Sequence, residues 1–232
     1  VQREIEQMPN LLFEALASEI DETYAKLGHS LGWRFLTSPK RTLSKETDYI
    51  FLTINPAGNK ITHADSRESC ENGSPYLYER WKNSAPGKSP LQVQIQLLFM
   101  ELEWEFDSVL SGQLVPFRSP SWNDLPHQKQ SLNFGISIWA RIIAHVQPKM
   151  IVAVGKTQLR EPICKMLGSP ILSSEELVGW GSISAGLDIF DSCSLVTLPH
   201  LSRFQIMGRD KSKEPIRKLI QTARAKGNVS RL

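Results

Sequence analysis

Cysteine is scarce in this chain: Cys70, Cys164 and Cys193 are all it has in 232 residues, and no two stand in a C-x-x-C spacing. An odd, scattered set argues against a disulfide framework, carries no zinc or iron–sulfur signature and suits a reducing compartment. No apolar run approaches the roughly 18 residues that suggest a membrane helix. The first ten residues are charged and contain no apolar signal region, so a cytoplasmic protein with no membrane partner is expected. Three glycine signatures are missing as well. Neither G-x-G-x-x-G behind a strand-like run nor G-x-S-x-G occurs, which removes the dinucleotide fingerprint and the hydrolase elbow. Val154-Gly155-Lys156-Thr157 ends like a phosphate loop, but the glycine needed five places earlier is Met150. The acidic residues lack metal-ligand spacing. No metal or other cofactor is expected, and chemistry has to run on Asn, His and backbone groups.

What is present is ordinary globular material, with 41% hydrophobic and 22% charged residues and a net charge of +3. That length and composition bury one sizeable core, so 1–232 is read as a single domain. Apolar spacing predicts a first helix over 10–26, ended by Gly28. Ser89-Pro90 is a helix start, followed by the stripe Leu91, Ile95, Leu98, Phe99 and Leu102. Further helices are predicted over 131–146, from Gly155-Lys156 to about Leu167, and over 211–225. Main strands are expected at 49–54, 108–115, 149–154 and 193–198, and 180–190 alternates around Ala185-Gly186 like a hairpin. Strands separated by helices predict a mainly parallel four-stranded sheet with helices on both faces, a three-layer α/β/α domain. Residues 59–88 are long, polar and broken by the aromatic island Tyr76, Tyr78 and Trp81, a candidate functional loop. The segment 211–232 is basic, with Lys211, Lys213, Arg217, Lys218, Arg224, Lys226 and Arg231 against Glu214; it could face phosphates or form a solvated helix face.

The four main strands run into Asn55, Pro116, Gly155 and His200. Open α/β sheets bind ligands beyond the carboxyl ends of their strands, so these groups are expected to line one crevice. Taken singly, each has a plainer reading. Asn55 before Pro56 is a frequent turn starter, His200 suits a satisfied loop histidine, Gly155 and Lys156 serve as a helix start, and the aromatic island can anchor its own loop. Their joint placement is what independent turns do not explain.

Thr53-Ile54-Asn55-Pro56-Ala57-Gly58, Gln113-Leu114-Val115-Pro116 and His200-Leu201-Ser202-Arg203, in that order, resemble three motifs of the uracil-DNA glycosylase superfamily. These are the strand-terminal G-Q-D-P-Y-H or G-I-N-P-G segment, the segment whose Asn reads the pyrimidine edge, and the late H-P-S segment. The resemblance spans roughly 48–209. It implies a uracil-DNA-glycosylase-like fold and a monofunctional DNA glycosylase with DNA as its partner and no obligate protein partner. By the same resemblance Asn55 would orient water toward the anomeric carbon and His200 would donate to the pyrimidine O2 as charge develops there. Ala57, Gly58, Gln113, Pro116, Phe117 and Tyr76 would surround an extruded base. Arg118, Ser119, Gly155, Lys156 and Ser202 would meet DNA, with Arg203 and Phe204 filling the vacated stack.

Three departures stand out, the first two bearing on the substrate and the third on the geometry of the late loop. Ala57 stands where uracil specialists carry a Tyr that blocks C5, Gln113 replaces the edge-reading Asn with one more methylene, and Leu201 replaces the late Pro. A changed hydrogen-bonding fit redirects specificity. The expected leaving base is therefore uracil or a C5-modified pyrimidine, such as hydroxymethylcytosine or its glucosylated form. The latter would imply defence against phage. The alternative is a catalytically weak or inactive DNA-binding protein on the same fold.

Overall fold

The computed structural model describes residues 2–60 and 70–227. In chain order its elements are α1 (Gln2–Lys26), β1 (Tyr49–Thr53), α2 (Pro75–Tyr78), α3 (Pro90–Glu101), β2 (Leu110–Gln113), α4 (Gln128–Val146), β3 (Met150–Val154), α5 (Lys156–Leu167), β4 (Leu172–Trp180), β5 (Ile183–Ile189), β6 (Ser194–Leu198) and α6 (Asp210–Gly227). The sheet order is β2-β1-β3-β6-β5-β4. β2, β1, β3 and β6 run parallel, in the register Thr53 with Gln113, Thr53 with Val154, and Val154 with Leu198. The run Met-Ile-Val-Ala-Val is buried at every position, as a strand covered on both faces requires.

Alternation along the strands divides the core into two layers. Ile50, Leu52, Ile151, Ala153 and Leu195 pack under α1, α4 and α5, through Leu16, Ile20, Trp139, Ile142, Leu159 and Ile163. Phe51, Val152, Val154, Val196 and Leu198 face the other way, onto Ile95, Leu98 and Phe99 of α3 and Ile216, Leu219 and Ile220 of α6. The domain is thus a three-layer α/β/α sandwich. Ser89 caps α3 through a reciprocal capping box with Gln92, and Pro90 stands in the first turn, which satisfies amide groups that the helix start leaves open.

The sheet has six strands and is mixed, not four-stranded. Residues 180–190 do not turn around Ala185-Gly186. The turn lies at Gly181 and Ser182, with Gly181 at φ +54°, and Ala185-Gly186 is the middle of β5. β4 pairs antiparallel with β5 and β5 with β6, because the connections 181–182 and 190–193 are too short for the crossover that a parallel neighbour needs. Gly186 is required inside the strand: a Cβ there would lie 2.6 Å from Thr197 Oγ1 and 2.9 Å from Arg160 Cζ. Arg160 of α5 forks onto the buried Asp188 of β5, at 2.7 and 2.9 Å, and reaches Glu175 of β4 at 2.7 Å. That charge network docks the hairpin and helix together. β2 is also shorter than the predicted 108–115, and α1 and α4 begin earlier than predicted. Among the described residues no helix is long and apolar enough to cross a membrane.

Candidate functional site

Past the last paired residue of β1 the backbone continues beside the segment after β2. Gly58 N donates to Ser119 O, Ser119 N to Pro56 O and Val115 N to Ile54 O. This extended pairing holds Asn55 against 117–119. Its Nδ2 donates to Ser119 Oγ at 2.8 Å and Phe117 O at 3.2 Å. The Ser119 hydroxyl spends its own proton on Ser121 O at 2.6 Å, so it can only accept from Asn55. A carbonyl can only accept as well. The amide therefore has one compatible orientation, with NH2 inward and Oδ1 outward, and no donor bonds Oδ1 among the described residues.

The neighbours predicted to touch base or DNA divide sharply. Ala57 is exposed. Gly58, at φ +138°, lies where a Cβ would come 2.7 Å from Arg118 Nη1. Arg118 is buried and its Nη1 donates to Ala57 O, so it braces the 55–58 turn. Ser119 is fully buried and does the same for Asn55. Pro116 is buried, and its carbonyl accepts from Arg34 N. Phe117 has no exposed surface and stacks on His29 at 4.3 Å and Phe134 at 5.7 Å; its carbonyl, not its ring, reaches the site. Tyr76 is 3% exposed and set edge-on to Phe51 and Trp81, so it is a core ring. Pro116, Phe117, Arg118 and Ser119 look like ligand contacts in sequence because they follow a strand, but the layers close over them. Part of the predicted functional loop, 61–69, lies outside the described residues; 75–78 forms α2, tied to α3 by Gln92 through Pro75 O and Glu79 O.

Gln113 ends β2, 6% exposed, with its Oε1 accepting from Thr53 Oγ1 at 2.6 Å. At the end of β3 Gly155 takes φ +118° and donates to Leu198 O, which lets α5 start at once. Lys156 turns from the crevice: its Nζ binds Glu175 at 2.8 Å and Ser184 Oγ at 2.7 Å. That contact and the Ser184 hydroxyl hold the Glu175 carboxyl down to about 2. It is not a free phosphate-binding hand.

After β6, Leu201 is fully buried and pins the loop, while His200, Ser202 and Arg203 are exposed. His200 Nδ1 lies 2.8 Å from Ser202 Oγ, and desolvation lowers its pKa below the ordinary 6.5, so the ring is neutral at pH 7. The Arg203 guanidinium covers the Phe204 ring at 5.3 Å, and Phe204 meets Trp180 edge-on at 6.2 Å. A cleft of about 400 Å³ opens here between His200, Arg203, Lys156 and Ser182 of the hairpin turn. Gly155, Thr157 and Gln158 line it from the end of β3 and Pro199 from the end of β6, and Asn55 is not part of its lining. Asn55 and His200 each stand two residues past register-matched positions, with β3 between them, so their backbones are about 10 Å apart at ordinary strand spacing.

The basic C-terminal segment is largely consumed by the protein itself. Arg217 pairs with Glu101 at 3.0 Å, Lys213 with Asp210 at 2.8 Å, Lys218 with Glu176 at 3.7 Å and Arg224 with Glu103 at 3.4 Å. Residues 228–232, with Arg231, lie outside the described residues. Sequence reasoning missed Thr53 as a partner of Gln113 and the hairpin turn as a wall beside His200. The only sequence signal for the first is a Thr standing where the resembled motif has Gly. No group of three potential metal-binding side chains occurs among the described residues. No protein-family model matches the chain, and no curated protein matches it.

Proposed function

We propose that the chain is a monofunctional DNA glycosylase of the uracil-DNA glycosylase superfamily, acting on a flipped pyrimidine. The observation that carries this is the Asn55 amide, locked by Phe117 O and Ser119 Oγ so that a carbonyl oxygen faces the strand ends, with neutral His200 two strands away. An amide oxygen orients a water without deprotonating it, which is sufficient where the glycosidic bond is largely broken before water adds. The C1′–N1 bond breaks with its electron pair leaving on the base. The water oxygen then bonds C1′, and its proton passes through solvent to the departed base. In this reading Ser202 donates to Nδ1, which leaves the single proton of His200 on Nε2 to serve the pyrimidine O2, a contact that strengthens as charge develops. Exposed Arg203, backed by Phe204 and Trp180, is placed to enter the vacated stack. Exposed Ala57 supports a base carrying a C5 substituent, so uracil and C5-modified pyrimidines such as hydroxymethylcytosine and its glucosylated form make up the substrate class. The modified cytosines would give the protein a role in phage defence, and activity in the cytoplasm is part of the same reading.

The test is a panel of oligonucleotides carrying uracil, mismatched thymine and modified cytosines, scored for alkali-labile abasic sites. At least one member should be cut. Asn55→Ala and His200→Ala should each lose about 100-fold or more in turnover, as removal of a charge-stabilising or orienting group does, while DNA binding is retained. Salt-sensitive binding with no abasic product from any member would favour a DNA-binding protein instead.

A further inference from the structure

Gln113 is not a free amide that can offer either end to a base. Its backbone N–H goes to Phe35 O and its carbonyl takes Trp139 Nε1 at 2.8 Å, which fixes where the side chain starts. Thr53, directly opposite in the β1–β2 register, gives its hydroxyl proton to Oε1 at 2.6 Å. With Oε1 taken by the Thr53 hydroxyl, the end of Gln113 left over is Nε2, which has no protein acceptor among the described residues. It can only donate.

We infer that Thr53 is a positioning residue that sets the polarity of the Gln113 amide, making it a second hydrogen-bond donor to the leaving base besides His200. The inference rests on the glycosylase reading and deepens it. When C1′–N1 breaks, the electron pair left on N1 spreads to O2 and, in a 4-oxo pyrimidine, to O4; in a 4-amino pyrimidine it spreads to O2 and N3. A donor at the Watson–Crick edge stabilises that charge in either case, whereas an amide oxygen turned to the same place would oppose it. Gln113 thereby contributes to the transition state and not only to recognition. The extra methylene relative to Asn is what lets the amide reach sideways to Thr53.

The experiment compares wild type, Thr53→Val and Thr53→Ser in single-turnover excision from oligonucleotides bearing whichever base of the panel is cut and its 5-fluoro counterpart, which departs more easily. Val is close in shape and suits a strand, and circular dichroism with a thermal midpoint checks folding. Thr53→Val should lower the excision rate on the order of 10-fold or more, since loss of an oxyanion donor costs up to 10²–10³, with little change in half-saturation. The loss should be several-fold smaller for the 5-fluoro base, and Thr53→Ser should restore the rate. A folded Thr53→Val that matches wild type overturns the inference, as does an equal loss on both bases, while the glycosylase reading stands. Wild type releasing no base from any member overturns both.

Discussion

Replacing Ser119 by Ala isolates the lock on Asn55 from Asn55 itself. Ser119 is completely buried and stands between two partners, accepting from Asn55 Nδ2 at 2.8 Å and donating to Ser121 O at 2.6 Å. Each such bond contributes about 1 kcal/mol net, so the variant should lose about 1–2 kcal/mol of stability. The catalytic consequence is smaller than the removal of Asn55. Nδ2 keeps Phe117 O at 3.2 Å and Pro56 O at 3.3 Å, and the flipped amide still faces a carbonyl that repels it. Loss of about 1 kcal/mol from the preferred orientation corresponds to about 5-fold in rate. Single-turnover excision by Ser119→Ala should therefore fall about 5-fold with DNA affinity unchanged, against at least 100-fold for Asn55→Ala. Two outcomes refute the reasoning: destabilisation with a wild-type rate, which reduces Ser119 to a structural residue, or a loss as deep as that of Asn55→Ala accompanied by weakened DNA binding, which makes Ser119 a direct DNA contact.

Gly58→Ala should cost about 1–3 kcal/mol, because the residue holds φ +138° with the new Cβ 2.7 Å from Arg118 Nη1; a denaturation midpoint equal to wild type would show that the 55–58 turn is not braced as described. His29, stacked on Phe117 and 3.1 Å from Ser131 Oγ, has its pKa lowered by burial and then by the charge of His127. A histidine depressed in the folded state contributes stability that is complete above its unfolded pKa of about 6.5 and is lost as pH falls through the lower folded value. His200 is shifted in the same direction. The thermal midpoint should thus drop between pH 7.5 and 5.5, and His29→Gln should flatten the decline; an unchanged wild-type midpoint across that window contradicts it.

The parallel half of the sheet was legible because β1, β3 and β6 are apolar runs closed by Asn-Pro, Gly and Pro-His, with helix-forming sequence lying between successive strands. The antiparallel half was not. β4 begins Leu-Ser-Ser-Glu-Glu-Leu, an edge strand with little apolar content, and Arg160 of α5 ties it down through Glu175 at 2.7 Å and Ser173 Oγ at 2.9 Å, partners 15 and 13 residues away in sequence. At the site, Asn55 and His200 stood out because polar groups directly after apolar strands are few. The same rule over-reached for Phe117, Arg118 and Ser119: a position past a strand end says that a side chain is near the crevice, and only packing decides whether it faces it. Phe117 turned into the α-helical layer and left its carbonyl behind, and Arg118 folded back onto Ala57. Lys156 resembled a phosphate ligand until the hairpin brought Glu175 to within 2.8 Å of it. A charge partner from another element leaves no local trace in the sequence.

The central claim is that Asn55 and His200 together release a pyrimidine from DNA. Its most direct measurement is the formation of alkali-labile sites in end-labelled oligonucleotides that each carry one candidate base, by wild type and by the Asn55→Ala, His200→Ala double variant. The account predicts strand breaks after alkali at the position of at least one uracil or C5-modified pyrimidine with wild type, and a near-complete loss with the double variant. Breaks of equal yield with both proteins, or none with either, contradict it.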